Sequence, residues 1–211
     1  MRPSLASLAL VAACARPPVV APAAPACPAD RRLVLASQDD VLRARACTSA
    51  QTVVVRTGAP VDLKPLAQLA TIDGDLVIGP TVGIDTVSLG GLRTVGGNVR
   101  VVSNGLLQGV FLPRLEQAGR IEIEGNVALT TVSLPRLARV DGAVRVTDNA
   151  ELALLDVPVL AVIDQALVLA ADPKLELVDA GALQHAGSVA LDVPKLPADV
   201  AARLRAAAPR P

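Results

Sequence analysis

The residues of this chain that could carry out chemistry are few, and the most suggestive pair is Asp156 and Asp179. They occupy the same position in neighbouring copies of a repeat, so stacked strands would bring them about 4.8 Å apart. Two carboxylates at that separation could share a proton, bind a cation or hydrolyse a polysaccharide by acid–base catalysis. The alternative is a pair of solvated surface aspartates. The sequence favours this alternative because Ser133 and Ser88 continue the column in place of further acids.

Other kinds of reactive site find less support. A Ser-His-Asp triad would have to use His185, the only histidine, which follows Leu183 in a turn and has no nucleophile motif nearby. The sequence has no Cys/His cluster and no Asp-rich calcium repeat, so it predicts no catalytic residue, no metal and no cofactor. Nucleic-acid binding is disfavoured because 20 basic residues balance 20 acidic ones and Phe111 is the only aromatic residue.

The repeat is the strongest pattern in the sequence. Its clearest column of aliphatic residues, at steps of 22 or 23, consists of Leu76, Val99, Ile121, Val144, Leu167 and Val189. A fixed period of this size is typical of a solenoid. Each repeat holds two short runs of alternating character, such as Val144-Arg145-Val146 and Val132-Ser133-Leu134, with Gly, Pro and Asn between them. These runs predict an all-β solenoid of about six coils over residues 52–195, with parallel strands around one aliphatic core.

The turns of the repeat carry two further columns. Asn104, Asn126 and Asn149 form one of them, and Asp172 continues it. Asn side chains can bond backbone groups of neighbouring coils, so we expect a structural ladder there. The alternative is a row of amides that binds a ligand. The second column holds glycines, for which we expect a positive φ at a turn: Gly74, Gly97, Gly119, Gly142 and Gly187.

The outward positions of the predicted strands change character along the solenoid. Arg100, Glu122 and Arg145 occupy one slot in successive coils, where opposite charges support each other across strands. The C-terminal third is more apolar, and a contiguous exposed apolar patch is a candidate interaction site. The residues of this candidate interface are Val159, Ala161, Val162, Val168 and Ala170. The alternative is a general bias of the chain toward alanine and valine.

The N-terminus, residues 1–13, has the pattern of a signal peptide. A positive charge at Arg2 precedes an apolar stretch that is too short to span a bilayer. The stretch ends in Val11-Ala12-Ala13-Cys14, which resembles the cleavage box of bacterial lipoproteins. The resemblance implies that Cys14 becomes the first mature residue and carries acyl chains, with the outer membrane favoured because Ala15 follows rather than aspartate. An ordinary secretory signal is the alternative.

The segment after the signal is expected to lie outside the packed core. Residues 14–28 are rich in proline and alanine, which predicts an extended tether. Cys27 and Cys47 remain as an even pair in an exported chain, and this predicts a disulfide.

Both ends of the solenoid are expected to be capped. Residues 29–51 contain Ser37 at a helix start followed by acidic residues, so they predict an N-terminal cap with a short helix to about residue 46. Residues 196–211 are rich in alanine, with Val200 and Leu204 four apart, and they predict a C-terminal capping helix and tail. Caps of this kind cover the strand edges that an open coil exposes.

Taken in order, a Cys-bounded helix, a Cys before the first strand and the punctuated coils resemble the receptor L-domain family. The resemblance is carried by Cys47-Thr-Ser-Ala-Gln-Thr-Val-Val-Val55 and by Leu66-Ala-Gln-Leu-Ala-Thr-Ile-Asp-Gly-Asp-Leu-Val-Ile78, and it covers roughly residues 27–195. It implies a short right-handed β-helix related to leucine-rich repeats. Family members carry aromatic residues on their binding faces and this chain has almost none, so no binding residue is transferred.

These features together predict an exported, membrane-anchored lipoprotein whose non-catalytic β-helix binds a protein or glycan of the cell envelope or beyond it. A carbohydrate-active β-helix enzyme working near Asp156 and Asp179 is one alternative. A structural spacer in the envelope is another.

Overall fold

The structure is a computed structural model and describes residues 27–209. These residues form a solenoid of about seven turns, built from short parallel strands, with two α-helices. The predicted all-β solenoid is therefore confirmed. No helix within this described part is long and apolar enough to cross a membrane.

The elements follow the chain in a regular order. The strands are β1 (Arg32–Leu35), β2 (Ser49–Ala50), β3 (Thr52–Val55), β4 (Thr71–Ile72), β5 (Leu76–Ile78), β6 (Thr86–Ser88), β7 (Thr94–Val102), β8 (Gly109–Phe111), β9 (Gln117–Glu124), β10 (Thr131–Ser133), β11 (Arg139–Val140), β12 (Val144–Thr147), β13 (Leu154–Asp156), β14 (Val162–Ala170), β15 (Leu177–Asp179) and β16 (His185–Asp192). The α-helices are α1 (Gln38–Ala44) and α2 (Ala198–Ala206), and a single 3₁₀ turn covers Lys64–Leu66.

The strands form three parallel ladders along the solenoid. The first ladder contains β1, β3, β5, β12 and the C-terminal halves of β7, β9, β14 and β16. The second ladder contains β2, β4, β11 and the N-terminal halves of the same four long strands. The third ladder is a separate five-stranded sheet in the order β15-β13-β10-β8-β6.

The first ladder brings into register the column of aliphatic residues that repeats every 22 or 23 positions in the sequence. The residues in register are Leu33, Val53, Leu76, Val99, Ile121, Val144, Leu167 and Val189. All are buried except Val189, which is partly buried against the same core. With the two members before Leu76 the column has eight residues, which span about seven turns, whereas the sequence predicts about six. The first of them lies on β1, inside the segment 29–51 that the sequence predicts as a cap.

The sequence predicts two strands per repeat, whereas the structure has a further set of strands, which forms the second ladder. Its shortest members have two residues, as in β4 and β11, which is too short for alternation to show in the sequence. In β7 the second ladder continues into the first through a register shift between Val95 and Asn98. The chain therefore turns a corner within one strand, and each coil has three faces.

The glycine column has a different role from the one predicted. Among residues 27–209, positive φ at glycine occurs at Gly79 and Gly125, which are outside the predicted column. The column glycines instead face the backbone of the preceding coil. A Cβ on Gly142 would lie 2.7 Å from the carbonyl oxygen of Gly119, and one on Gly119 would lie 2.6 Å from that of Gly97. These positions exclude side chains because the coils approach closely there.

Each end of the solenoid packs against a short helix. Ser37 and Asp40 form a capping box at the start of α1, which ends at Ala44 rather than near residue 46. In α2, Leu204 is fully buried, and the carbonyl oxygen of Ala207 just beyond it accepts a hydrogen bond from the N–H of Ala186 at 2.9 Å. The predicted disulfide is present between Cys27 and Cys47, whose Cα atoms are 5.1 Å apart.

Candidate functional site

The asparagine column forms a continuous buried hydrogen-bond ladder. The Nδ2 of Asn104 donates to the Oδ1 of Asn126 at 2.7 Å, and Asn126 donates in the same way to Asn149 at 2.9 Å. Asn149 donates to the Oδ1 of Asp172 at 3.1 Å. All four side chains are fully buried, so the ladder lies beneath the surface and not on a binding face.

The same amides also bond to the backbone of other coils. The Nδ2 of Asn126 donates to the carbonyl oxygen of Val101 at 2.9 Å, and the backbone N–H of Asn126 donates to Asn149 Oδ1 at 3.2 Å. Each amide therefore links three turns of chain. The residue before each ladder member has a positive φ, and these residues are Ser103, Gly125, Asp148 and Ala171.

Sequence reasoning missed the beginning of this column. Thr57 and Thr81 are buried polar residues two coils and one coil before Asn104, respectively, and Thr81 lies opposite Asn104 in an isolated parallel bridge. The hydroxyl of Thr57 donates to the carbonyl oxygen of Ala59 at 2.8 Å. The signal was available in the spacing, since Thr81 precedes Asn104 by one repeat.

Asp172 ends the ladder with an unusual carboxylate. Its Oδ1 accepts the backbone N–H of Asn149 at 2.8 Å as well as the side-chain amide, whereas its buried Oδ2 has no hydrogen-bond partner among the described residues. Burial raises the pKa of Asp172, and the nearby charge of Asp148 acts in the same direction, while the bonds from Asn149 oppose the rise.

The aspartate pair considered for catalysis is brought together but is engaged elsewhere. Asp156 and Asp179 are register neighbours on β13 and β15. The Oδ2 of Asp156 accepts the hydroxyl of Ser133 at 2.6 Å, while the Oδ1 of Asp179 accepts the backbone N–H of Gly181 at 3.3 Å. Each carboxylate is thus bonded to its own neighbour, and the two share no hydrogen-bond partner in the described chain.

Other residues singled out from the sequence lie apart from this pair. His185 is exposed at the start of β16, in the second ladder. Within residues 27–209, no group of three or more His, Cys, Asp or Glu side chains is placed to hold a metal ion. Phe111 is 37% exposed and its ring covers Gly109, where an added Cβ would lie 2.4 Å from the ring.

The charged row on the first ladder contains one direct ion pair. The Nε of Arg100 lies 2.7 Å from the Oε2 of Glu122, and Arg145 is in register with Glu122 on the other side. The second ladder has a comparable cluster in which Arg139 contacts both Asp141 and Asp164. These exposed pairs help to set register and contribute little to stability.

The candidate apolar interface is divided between two faces. Val162 lies on the second ladder, in register with Arg139 and His185. Val168 lies on the first ladder, in register with Arg145 and Ala190. Ala161, Val162, Val168 and Ala170 are half-buried, and Val159 is exposed in the preceding turn. Val162 and Val168 therefore lie on different ladders, each beside an arginine in register.

A groove that the sequence did not indicate lies at the N-terminal edge of the third ladder. It has a volume of about 650 Å³ and runs along β6, the edge strand of the five-stranded sheet at its N-terminal end. Its lining residues are Gln38, Pro60, Val61, Asp62, Lys64, Val82, Gly83, Asp85, Thr86, Ser88 and Leu106. The groove occupies the place where a strand of the preceding coil would continue the sheet.

The sequence explains why that strand is missing. Pro60 and Pro65 have no N–H to give to a neighbouring strand, and Lys64–Leu66 forms a 3₁₀ turn. The last backbone bond between the two coils before the groove joins the N–H of Val61 to the carbonyl oxygen of Gly83 at 3.3 Å. Beyond it the chain runs along the floor of the groove, where Gln38 Oε1 accepts the N–H of Asp62 at 2.7 Å.

Comparison with protein-family models, with curated proteins and with solved structures found no match to this chain. Cys14, the predicted lipidation site, lies outside the described residues.

The site that the geometry supports best is the groove along β6, called the β6 groove below, together with the outer face of the third ladder.

Proposed function

We propose that this chain is an exported lipoprotein, anchored in the outer membrane through Cys14, whose L-domain-like β-helix is a binding module for an envelope or extracellular protein or glycan. The observation that carries the proposal is an exposed groove beside a solenoid whose interior is closed. The apolar space between the coils that is lined by Ile121, Leu155 and Leu167 admits only about 20 Å³, roughly one water molecule, so it has no room for a ligand.

The rigidity of the scaffold supports a binding role. The buried ladder and the aliphatic core hold the outer faces in fixed register, and preorganised surfaces lose less entropy on binding. The Asp156 and Asp179 carboxylates are bonded to Ser133 and Gly181, which favours a structural role for them over catalysis.

The anchor is tested by cell fractionation of a Cys14→Ser variant. We expect the variant in the soluble exported fraction, and the wild-type chain in the outer membrane with acyl chains on its N-terminal cysteine by mass spectrometry. A Cys27→Ser variant keeps Cys14 and serves as the matched control, so it should stay with the membrane. Retention of the Cys14→Ser variant in the membrane would contradict the anchor.

Binding is tested by cross-linked capture from intact cells, with the mature chain as bait. We expect one partner to be recovered reproducibly and to be competed away by the untagged chain. An Asp156→Asn, Asp179→Asn double variant is assayed in parallel on a panel of cell-wall and plant polysaccharides. Turnover by the wild-type chain that this variant lacks would replace the binding proposal with an enzymatic one.

A further inference from the structure

The open edge of β6 presents unused backbone hydrogen-bonding groups to the groove. Within residues 27–209, β6 pairs only with β8. On that side the N–H of Leu89 donates to the carbonyl oxygen of Phe111 at 3.3 Å, and the carbonyl oxygen of Asp85 accepts the N–H of Gln108 at 2.7 Å. Peptide groups alternate in direction along a strand, so those of Thr86 and Ser88 point away from β8 and into the groove.

The edge is therefore a template of two donors and two acceptors at strand spacing. Both Thr86 and Ser88 line the groove, and their N–H and C=O groups have no protein partner in the described chain. Unpaired edges of this kind pair readily with another extended chain unless they are covered. Here the covering segment, residues 60–66, leaves a gap instead of a strand.

The walls of the groove add apolar and charged contacts to this template. Val82 and Leu106 are 60% and 57% exposed at one rim, although both are large aliphatic residues. The carboxylates of Asp62 and Asp85 outnumber the single ammonium group of Lys64, and all three side chains are exposed. The lining thus carries a net negative charge and is partly apolar, which complements a segment that alternates aliphatic and basic side chains.

We propose that the β6 groove binds an extended peptide segment of a partner protein, which adds as a further strand to the third ladder. The backbone of the segment bonds to Thr86 and Ser88, an aliphatic side chain rests on Val82 and Leu106, and a basic side chain faces Asp62 and Asp85. Strand addition of this kind takes affinity from main-chain bonds and specificity from alternate side chains. The inference rests on the proposed binding function and names its site and class of partner.

The test selects peptides of about seven residues, a common strand length, from a random phage-displayed library on the purified full chain. We expect the enriched peptides to alternate aliphatic and basic residues. On binding, the amides of Thr86 and Ser88 should become protected from hydrogen exchange. Failure to enrich any peptide, or protection elsewhere on the chain alone, overturns the proposal.

A pair of substitutions at one residue isolates the backbone contribution. Ser88→Ala keeps the amide N–H, whereas Ser88→Pro removes it without touching the bonds of Leu89 to β8. Loss of one such hydrogen bond corresponds to about tenfold weaker binding. We therefore expect Ser88→Ala to bind the selected peptides as wild type does and Ser88→Pro to bind them at least about tenfold more weakly. Equal binding by the two variants overturns the proposal.

A second pair keeps the test informative if Ser88→Pro fails to fold. Leu106 and Val127 are 57% and 56% exposed, yet only Leu106 lines the groove. We expect Leu106→Asp to lose peptide binding and Val127→Asp to keep it, and the reverse result overturns the site. Self-association of the full chain that Leu106→Asp abolishes would assign the edge to a second copy and likewise overturn a peptide partner.

The two proposals fail in distinguishable ways. Capture of a partner whose binding is unaffected by Leu106→Asp would leave the binding function intact and remove only this site. Absence of both a captured partner and an enriched peptide would remove the binding function as well.

Discussion

The side-chain Oδ1 of Asn126 accepts two hydrogen bonds from Asn104, one from the backbone N–H at 3.2 Å and one from Nδ2 at 2.7 Å. The same arrangement recurs between Asn126 and Asn149 and between Asn149 and Asp172. One side-chain oxygen thus accepts bonds from both the backbone N–H and the Nδ2 of the residue one coil before it. This relationship makes each ladder residue necessary to its neighbours.

Removing one rung should destabilise the solenoid strongly. Asn126→Ala removes the acceptor of the backbone N–H and of one Nδ2 hydrogen of Asn104, and it takes one donor each from the oxygens of Val101 and Asn149, all in a buried site. The two orphaned N–H groups cost about 1–3 kcal/mol each, so we expect a loss of about 2–6 kcal/mol in the free energy of unfolding by urea. Asn98→Ala, which loses only the bond from its Nδ2 to Asp75 Oδ1 at a half-buried site, should cost about 1 kcal/mol. Comparable losses for the two variants would contradict the ladder's role.

The carboxylate at the end of the ladder should make stability depend on pH. Burial raises the pKa of Asp172 in the folded chain above its unfolded value, so the folded state holds this proton more tightly. The stabilising contribution is therefore complete at pH values below the unfolded pKa and is lost as the pH rises through the folded pKa. Asp172→Asn cannot titrate. We expect its stability relative to wild type to increase as the pH is raised from acid to neutral, measured by urea unfolding at each pH. A difference that stays constant with pH would argue against the raised pKa.

The glycines of the repeat should be intolerant of even a methyl group where coils touch. A Cβ on Gly142 would meet the carbonyl oxygen of Gly119 at 2.7 Å, and that backbone is fixed by its own ladder. Gly142→Ala is expected to cost about 1–3 kcal/mol of unfolding free energy. Gly90 has no heavy atom within 4 Å of such a Cβ, so Gly90→Ala is the matched control and should lie within about 0.5 kcal/mol of wild type. If Gly142→Ala were equally neutral, the coils would be less closely packed than the structure indicates.

Loss of the disulfide should lower stability without altering the solenoid. The bridge joins residues separated by 20 positions. Closing a loop of this length is worth about 3 kcal/mol through the unfolded chain. We expect the Cys27→Ser, Cys47→Ser double variant to lose about that amount in urea unfolding, with an unchanged far-ultraviolet circular dichroism spectrum. A reductant should destabilise the wild-type chain to the same extent and leave the double variant unaffected.

The sequence predicts the core of this fold well because the repeat is regular where burial demands it. The column from Leu76 to Val189 and the turn column from Asn104 to Asp172 each need one residue type at one point of every coil. Such columns can be recognised from the spacing of residues in the sequence alone. The two-residue strands of the second ladder leave no such trace, since Thr71–Ile72 is too short to show a period.

The binding groove could not be predicted in the same way because it arises from an exception to the repeat. Pro60 and Pro65 break the pattern within one coil, and the consequence falls on β6 in the next coil. The predicted positive φ of the column glycines is wrong for a related reason. Left-handed backbone and close approach both select glycine, and only the coil spacing shows that Gly119 and Gly142 belong to the second case.

The bridge between Cys27 and Cys47 has a mechanical consequence for the chain. A pull applied at the N-terminal end of the described chain reaches Cys27 first and passes through the covalent bond to Cys47. The loop between them, which holds β1 and α1, then carries no tension. The load enters the stacked coils at their second level, and the first coil cannot be peeled away by a force that would otherwise unzip the solenoid from its end.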